Sequence, residues 1–125
     1  MSSSGAEPSI FSRIIAREIP ATIVAETDRI IAFEDIAPQA PVHIVITTKA
    51  TQYRNVVELA AGDPALLAEL VHVAAGIADD RTRGEFRLVF NTGAAAGQTV
   101  FHVHAHVMGA GDPSQPLGEG SLGSL

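Results

Sequence analysis

Apolar residues along this chain recur with two periods, and the switch between them marks out the elements. Ile10, Phe11, Ile14 and Ile15 sit at helical spacing behind Ser9, with Arg13, Arg17 and Glu18 between them. That predicts a short helix from about Ser9 to Arg17, ended by Pro20. Thr22 to Glu26 and Arg29 to Glu34 are rich in β-branched residues and flank Thr27-Asp28, the pattern of a hairpin with a short turn. Asp35 to Pro41 holds two prolines and no period, which predicts a rigid loop, and Val42 to Thr47 is a third strand. Gly62-Asp63-Pro64 is a helix start, with Asp63 as N-cap and Pro64 at the first helical position. Leu66, Leu67, Leu70, Val71, Ala74, Ala75 and Ala78 then keep the helical period to about Asp79, with His72 beside the stripe as a solvated helix residue. Glu85 to Phe90 and Val100 to Val107 complete the set as fourth and fifth strands.

Strands joined by hairpins, with one long and one short helix, predict an α+β domain built on a five-stranded antiparallel sheet. Its expected extent is residues 9–109, preceded by a polar leader over residues 1–8 and followed by a Gly-, Ser- and Pro-rich tail over residues 110–125. A chain of 125 residues is one domain by length, and no internal repeat is visible.

Charge and composition narrow the partners. A net charge of −6 argues against a nucleic-acid polymer, which is bound through clustered Lys and Arg, but leaves small anions open, because local N–H groups and histidines can hold them. The absence of cysteine removes disulfides and thiolate metal sites. The polar N-terminus lacks the apolar stretch of a signal peptide, and no run approaches the ~18 apolar residues of a membrane span. The expectation is a cytoplasmic protein with no membrane association.

The fifth strand carries three of the five histidines. Alternation with period two sends His102, His104 and His106 to one face and Phe101, Val103, Ala105 and Val107 to the other. The segment before it, Asn91-Thr92-Gly93-Ala94-Ala95-Ala96-Gly97-Gln98-Thr99, has small side chains that leave backbone N–H groups open to an anionic phosphoryl group. One metal ion cannot take all three histidines of a straight strand. Their outer Cα atoms are ~13 Å apart at ~3.3 Å per residue, against metal–nitrogen bonds of ~2 Å. Two of them, or one with His43, retain that option. His43 lies among apolar residues of the third strand, where a satisfied half-buried histidine is the ordinary reading, and Asp35 by itself is an ordinary loop acid.

His-x-His-x-His followed by apolar residues resembles the signature of the histidine-triad (HIT) family, and the preceding Gly-rich segment suits it. The resemblance extends over Phe11-Ser12-Arg13-Ile14-Ile15-Ala16-Arg17-Glu18-Ile19-Pro20-Ala21 and Ala32-Phe33-Glu34-Asp35-Ile36-Ala37-Pro38-Gln39-Ala40-Pro41-Val42-His43, which look like the Hint branch. It covers roughly Ser9 to Gly109. The resemblance implies that His104 is a nucleophile, its second ring nitrogen bonded to the backbone carbonyl of His102, with His102, His106 and His43 assisting. It implies that Asp35 accepts from ribose hydroxyls, that Ile10, Phe11, Ile14, Phe33 and Ile36 wall the base with Glu34 beside them, and that Asn91, Gly97, Gln98 and Thr99 lie near phosphate, ribose or leaving group. The Gln98 amide, the backbone N–H groups of 97–99 and His106 are candidate phosphoryl donors. The five apolar residues are equally the composition of a core edge.

Some Hint-like proteins bind zinc through a cysteine pair in the first helix. Ser9 and Ser12 stand there, and Thr47 and Ala50 replace a proline and a histidine common after the third strand, so no metal and no cofactor are expected. The tail lacks the tryptophan found in many members. What the resemblance implies is a homodimeric, purine-favouring nucleotide-binding hydrolase. It would cleave nucleoside 5′-phosphoramidates or related nucleotidyl conjugates through a nucleotidyl-histidine intermediate. A dinucleoside-polyphosphate hydrolase, a nucleotide-binding regulatory module with incidental turnover, and a histidine metal-binding protein are the alternatives.

Overall fold

The computed structural model describes residues 9–118, so the whole expected leader (residues 1–8) and the last seven residues of the expected tail lie outside the described part. In chain order the elements are α1 (Ile10–Ile15), β1 (Ile23–Glu26), β2 (Ile30–Glu34), β3 (Val42–Thr48), α2 (Val56–Gly62), α3 (Pro64–Arg81), β4 (Arg87–Val89), a 3-10 turn (Ala94–Ala96) and β5 (His104–Gly109). The five strands form one antiparallel sheet in the order β1-β2-β3-β5-β4. The predicted fold class therefore holds, with a second short helix added.

The local chemistry that starts each element is visible. Ser9 caps α1 by accepting from the Ser12 N–H, and Asp63 caps α3 by accepting from the Leu66 N–H. The added helix α2 starts the same way: Asn55 accepts from the Glu58 N–H at 2.9 Å, while Glu58 accepts from the Arg54 N–H at 2.9 Å. Seven residues are too few to display a helical stripe, so the Asn-x-x-Glu cap was its one sequence signal. At the other end of α2 an added Cβ on Gly62 would meet the Tyr53 ring at 2.5 Å. Glycine at this position leaves room for the Tyr53 ring beside the helix.

Alternation separates the two faces of the sheet. Ile30, Ala32, Ile44, Ile46, Ala105 and Val107 form one core cluster with Leu66, Leu70, Ala74 and Ile77 of α3. Burial of these side chains contributes about 1.5–3 kcal/mol for each large one. On the opposite face, Phe33 and Val45 pack with Phe11 and Ile14 of α1. The histidines belong to this second face.

The fifth strand starts four residues later than expected. Thr47 pairs with His104 as the last rung between β3 and β5, and the Val103 N–H turns away to the Tyr53 carbonyl at 2.9 Å. Residues 100–103 thus leave the ladder, and Phe101, expected in the core, is 48% exposed. The fourth strand is likewise trimmed to three residues at the sheet edge. In the tail, a turn at Asp112 to Gln115 and a bond from Arg87 Nη2 to the Gly118 carbonyl are the described order.

Candidate active site

The two central strands bring the histidines together. Register places His104 opposite Thr47 and His106 opposite Val45, and His43 enters from β3 two residues along the same face. His43, His102, His104 and His106 are all buried. The Phe11 ring from α1 stands edge-on to His104 at 4.7 Å between centroids and to His102 at 5.8 Å. His106 lies 5.4 Å from His104 and 5.1 Å from His43. His72, by contrast, is exposed on α3.

Hydrogen-bond partners fix which nitrogen of each neutral ring holds its proton. His104 Nδ1 is 2.8 Å from the His102 carbonyl, which can only accept, so Nδ1 carries the hydrogen and the lone pair sits on Nε2. His102 Nε2 is 2.6 Å from the Thr48 carbonyl, so its hydrogen is on Nε2 and its Nδ1 accepts from the Ser9 hydroxyl at 2.9 Å. The Gln39 N–H donates to His43 Nδ1 at 2.9 Å, which leaves the hydrogen on Nε2, directed to His106 Nδ1 at 2.9 Å. His106 in turn holds its hydrogen on Nε2. Two neighbouring rings therefore carry complementary groups, a lone pair on His104 Nε2 and a donor on His106 Nε2. Burial pushes His43 and His102 below the ordinary imidazole range, against weaker upward pulls from Asp35 on the first and from the Thr48 and Ala50 backbone on the second. Both rings are accordingly neutral at neutral pH.

The same tautomers bear on metal binding. Asp35, His43 and His106 each offer a ligand atom, and these atoms lie within 4.8 Å of one another. A metal needs the lone pair of His43 Nε2, but the Gln39 N–H already occupies the lone pair at Nδ1 and leaves a proton at Nε2. The trio is arranged to share a proton. Ser9 and Ser12 offer hydroxyls in place of thiolates, so the cysteine-type zinc site does not fit these residues either.

The loop before β5 shows a division of labour that its sequence hides. Gly93 and Gly97 adopt φ of 94° and 100°, which side-chain-bearing residues rarely do, and they bracket the 3-10 turn. The expectation that the Gln98 amide donates to a phosphoryl group is corrected. Its Nε2 donates to the Arg54 carbonyl at 2.6 Å and the Val100 carbonyl at 3.0 Å, and its Oε1 accepts from the Gly93 N–H at 2.9 Å. This buried carboxamide braces the loop. The Gly97 and Gln98 N–H groups are spent on the Ala94 and Gly93 carbonyls, whereas among the described residues the Thr99 N–H has no such internal acceptor. Thr99 is exposed and Asn91 half-buried nearby in the chain.

The candidate base-side residues divide by burial. Phe11, Ile14 and Phe33 are core, while Ile10 is 45% and Ile36 93% exposed. A depression of about 360 Å³ is lined by Pro20, Ala21, Thr22, Glu34, Asp35 and Ile36. Glu34 reaches Arg81 at 3.6 Å. The Asp35 carboxylate is mostly buried: Oδ1 accepts from the Ala37 N–H at 2.8 Å, and Oδ2 lies 3.4 Å from His43 Nε2. It ties the loop to the histidine network.

Several contributors are absent from any motif. The Gln39 amide sets the tautomer of His43, the Tyr53 carbonyl anchors the Val103 N–H, and the Thr47 hydroxyl donates to the Val103 carbonyl at 2.6 Å. Backbone groups leave no trace in sequence. Thr47 does leave one, as a hydroxyl at the end of an otherwise apolar run.

Comparison with known proteins agrees with this geometry. Residues 16–112 match the model of the HIT domain. An uncharacterized HIT-like protein of Synechocystis is 48% identical over 117 residues, 90% of this chain and 99% of that one. The purine nucleoside phosphoramidase of Escherichia coli is 42% identical over 114 residues, 90% and 94% of the two chains. Adenylylsulfatase HINT1 of Arabidopsis thaliana is 36% identical over 115 residues, 89% and 77% of the two chains. Among solved structures, a HIT family hydrolase from Clostridium thermocellum superimposes with a TM-score of 0.78 at 40% identity, covering 89% of this chain and 96% of that one. Histidine alternation, sheet and relatives converge, and the chain belongs to the HIT family, in its Hint branch.

Proposed function

We propose that this protein hydrolyses nucleoside 5′-phosphoramidates or related nucleotidyl conjugates through a nucleotidyl-His104 intermediate. The observation that carries the reading is the 2.8 Å bond from His104 Nδ1 to the His102 carbonyl, which leaves the Nε2 lone pair as nucleophile. In the first step that lone pair attacks the α-phosphorus, the bond from phosphorus to the leaving nitrogen breaks, and the nitrogen departs as an amine after taking a proton. The Thr99 hydroxyl and His106 Nε2 are the donors proposed for that proton and for the phosphoryl oxygens. The substituted ring then carries positive charge, which the His102 carbonyl stabilises at Nδ1. In the second step a water oxygen attacks phosphorus, the P–N bond to His104 breaks with its electron pair returning to the ring, and the water's proton replaces the one given up. The product is a nucleoside 5′-monophosphate.

The relatives named for purine nucleoside phosphoramidase and adenylylsulfatase activity support a nucleotidyl substrate and a purine base. A sulfate in place of the amine uses the same first step. Ile10 and Ile36 supply exposed apolar surface for the base, and Asp35 is proposed as the ribose acceptor. Assembly as a homodimer is part of the reading, as is turnover without metal. Among the described residues no helix is long and apolar enough to cross a membrane.

The test is to quench a reaction with adenosine 5′-phosphoramidate and weigh the intact protein. A mass increase of one adenylyl group is expected on wild type and none on His104→Ala, whose turnover should fall by several orders of magnitude. Retention of more than about a tenth of wild-type activity by His104→Ala would sink the covalent route.

A further inference from the structure

The carbonyl that fixes the nucleophile's tautomer belongs to a residue outside the sheet. His102 precedes β5, so no ladder bond holds its peptide, and its position depends on other anchors. One is the Val103 N–H, part of the same peptide unit, which donates to the Tyr53 carbonyl. Another is the His102 ring, gripped at both nitrogens by the Thr48 carbonyl and the Ser9 hydroxyl. Ser9 also caps α1, accepting from the Ser12 N–H at 3.1 Å, with Ser12 Oγ at 3.3 Å from the same oxygen. A single hydroxyl therefore joins the helix bearing Ile10 and Phe11 to the ring ahead of the nucleophile.

We propose that Ser9 is a positioning residue for His104: by donating its hydroxyl hydrogen to His102 Nδ1 it holds the His102 ring as the Nε2–H tautomer and keeps the adjoining carbonyl in place for His104 Nδ1. The proposal rests on the reading of His104 as nucleophile. Its chemistry is directional. The Ser9 oxygen accepts for the helix, and its hydrogen donates for the site, so the two duties can be separated by substitution. A carboxylate at this position still accepts from the Ser12 N–H, as aspartate does at many helix starts, but has no hydrogen to give. It pairs instead with a second proton on His102 Nδ1, converting the ring to a cation.

Ser9→Ala, Ser9→Thr and Ser9→Asp distinguish these duties. Ser9→Asp is expected to keep the wild-type melting temperature to within a few degrees. It should lower kcat roughly tenfold, the factor that about 1.4 kcal/mol represents, with little change in KM. Its loss of kcat on acidification should begin at higher pH than in wild type, because His102 now gains its proton more easily. Imidazole ¹⁵N spectra at pH 7 should show His102 Nδ1 as an acceptor in wild type and protonated in Ser9→Asp. Ser9→Ala loses both cap and donor, and Ser9→Thr, which keeps the hydroxyl, recovers the kcat lost by Ser9→Ala. Wild-type kcat, pH profile and ring spectra in Ser9→Asp would mean that Ser9 is only a helix cap, and the proposal would fall. Absence of the nucleotidyl adduct in the wild-type protein would instead overturn the role of His104. The two failures are told apart because the ring spectra do not depend on turnover.

Discussion

Asp35 serves its loop and keeps acceptor capacity in reserve. Its Oδ1 closes a turn onto the Ala37 N–H, and its Oδ2 lies near the proton of His43 Nε2, yet each carboxylate oxygen has a further lone pair for a ribose hydroxyl. A charge-assisted bond of this kind contributes ~1.5–3 kcal/mol in a shielded site, so Asp35→Ala should weaken ribonucleotide binding by at least ~10-fold. Titration of both proteins with a ribonucleotide and its 2′,3′-dideoxy analogue makes a double-mutant cycle. The dideoxy ligand is expected to lose little on mutation, and equal losses for both would assign Asp35 to the loop alone. The buried histidines make a second prediction at this scale. His43 and His102 titrate below their ordinary value of 6.5 because burial disfavours the cation. As pH falls through about 6.5 the unfolded chain takes up protons that the native state refuses, so each ring removes up to about 1.4 kcal/mol of stability per pH unit until its native value is passed. Urea midpoints at pH 7.5, 6.5 and 5.5 should fall in that order, above the range in which carboxylates contribute. A midpoint independent of pH over that range would contradict the burial argument.

At the scale of elements, α2 and the segment before it reach the site through backbone carbonyls. Tyr53 anchors the peptide between His102 and Val103, Arg54 anchors Gln98, and Asn55 starts the helix that holds both in place. Loss of an N-cap of this type costs ~1 kcal/mol. Asn55→Ala is therefore expected to lower the melting temperature by a few degrees and kcat with it, while Asn55→Asp, which keeps the acceptor, should do neither. Calorimetry and steady-state rates on the two variants check this, and an unchanged melting temperature in Asn55→Ala would show that α2 is held by other contacts. The long helix has a different part. Its Leu66, Leu70, Ala74 and Ile77 are consumed by the sheet beneath it, so the leucine stripe is not a surface for a partner. Val71, 40% exposed, lies on the outer side.

For the whole molecule, association has to use what the monomer leaves uncovered. The short strand β4 at the sheet edge, exposed Val71 on α3 and exposed Val57 on α2 are surfaces of that kind. A homodimer is the expected state, and light scattering at micromolar concentration should return twice the mass of the 13.0 kDa chain. A monomer mass would overturn it.

Hydrophobic period by itself determined the hairpin β1–β2, the strand Val42 to Thr47 and the long helix behind Asp63-Pro64, because each buries one face continuously enough to write its period into the chain. The alternation of His102, His104 and His106 against Val103, Ala105 and Val107 was legible for the same reason, and the triad motif pointed to the chemistry. Only the tertiary structure decided the rest. It released residues 100–103 from the ladder, exposed Phe101, turned Gln98 into a loop brace and added α2, since these outcomes depend on carbonyls and amides of residues distant in sequence. The tautomers are the clearest case. Which nitrogen of His43, His102 and His104 carries the proton is set by the Gln39 N–H, the Thr48 carbonyl with the Ser9 hydroxyl, and the His102 carbonyl, three of these four partners being backbone groups with no signature in the sequence, and the His43 ring then sets that of His106.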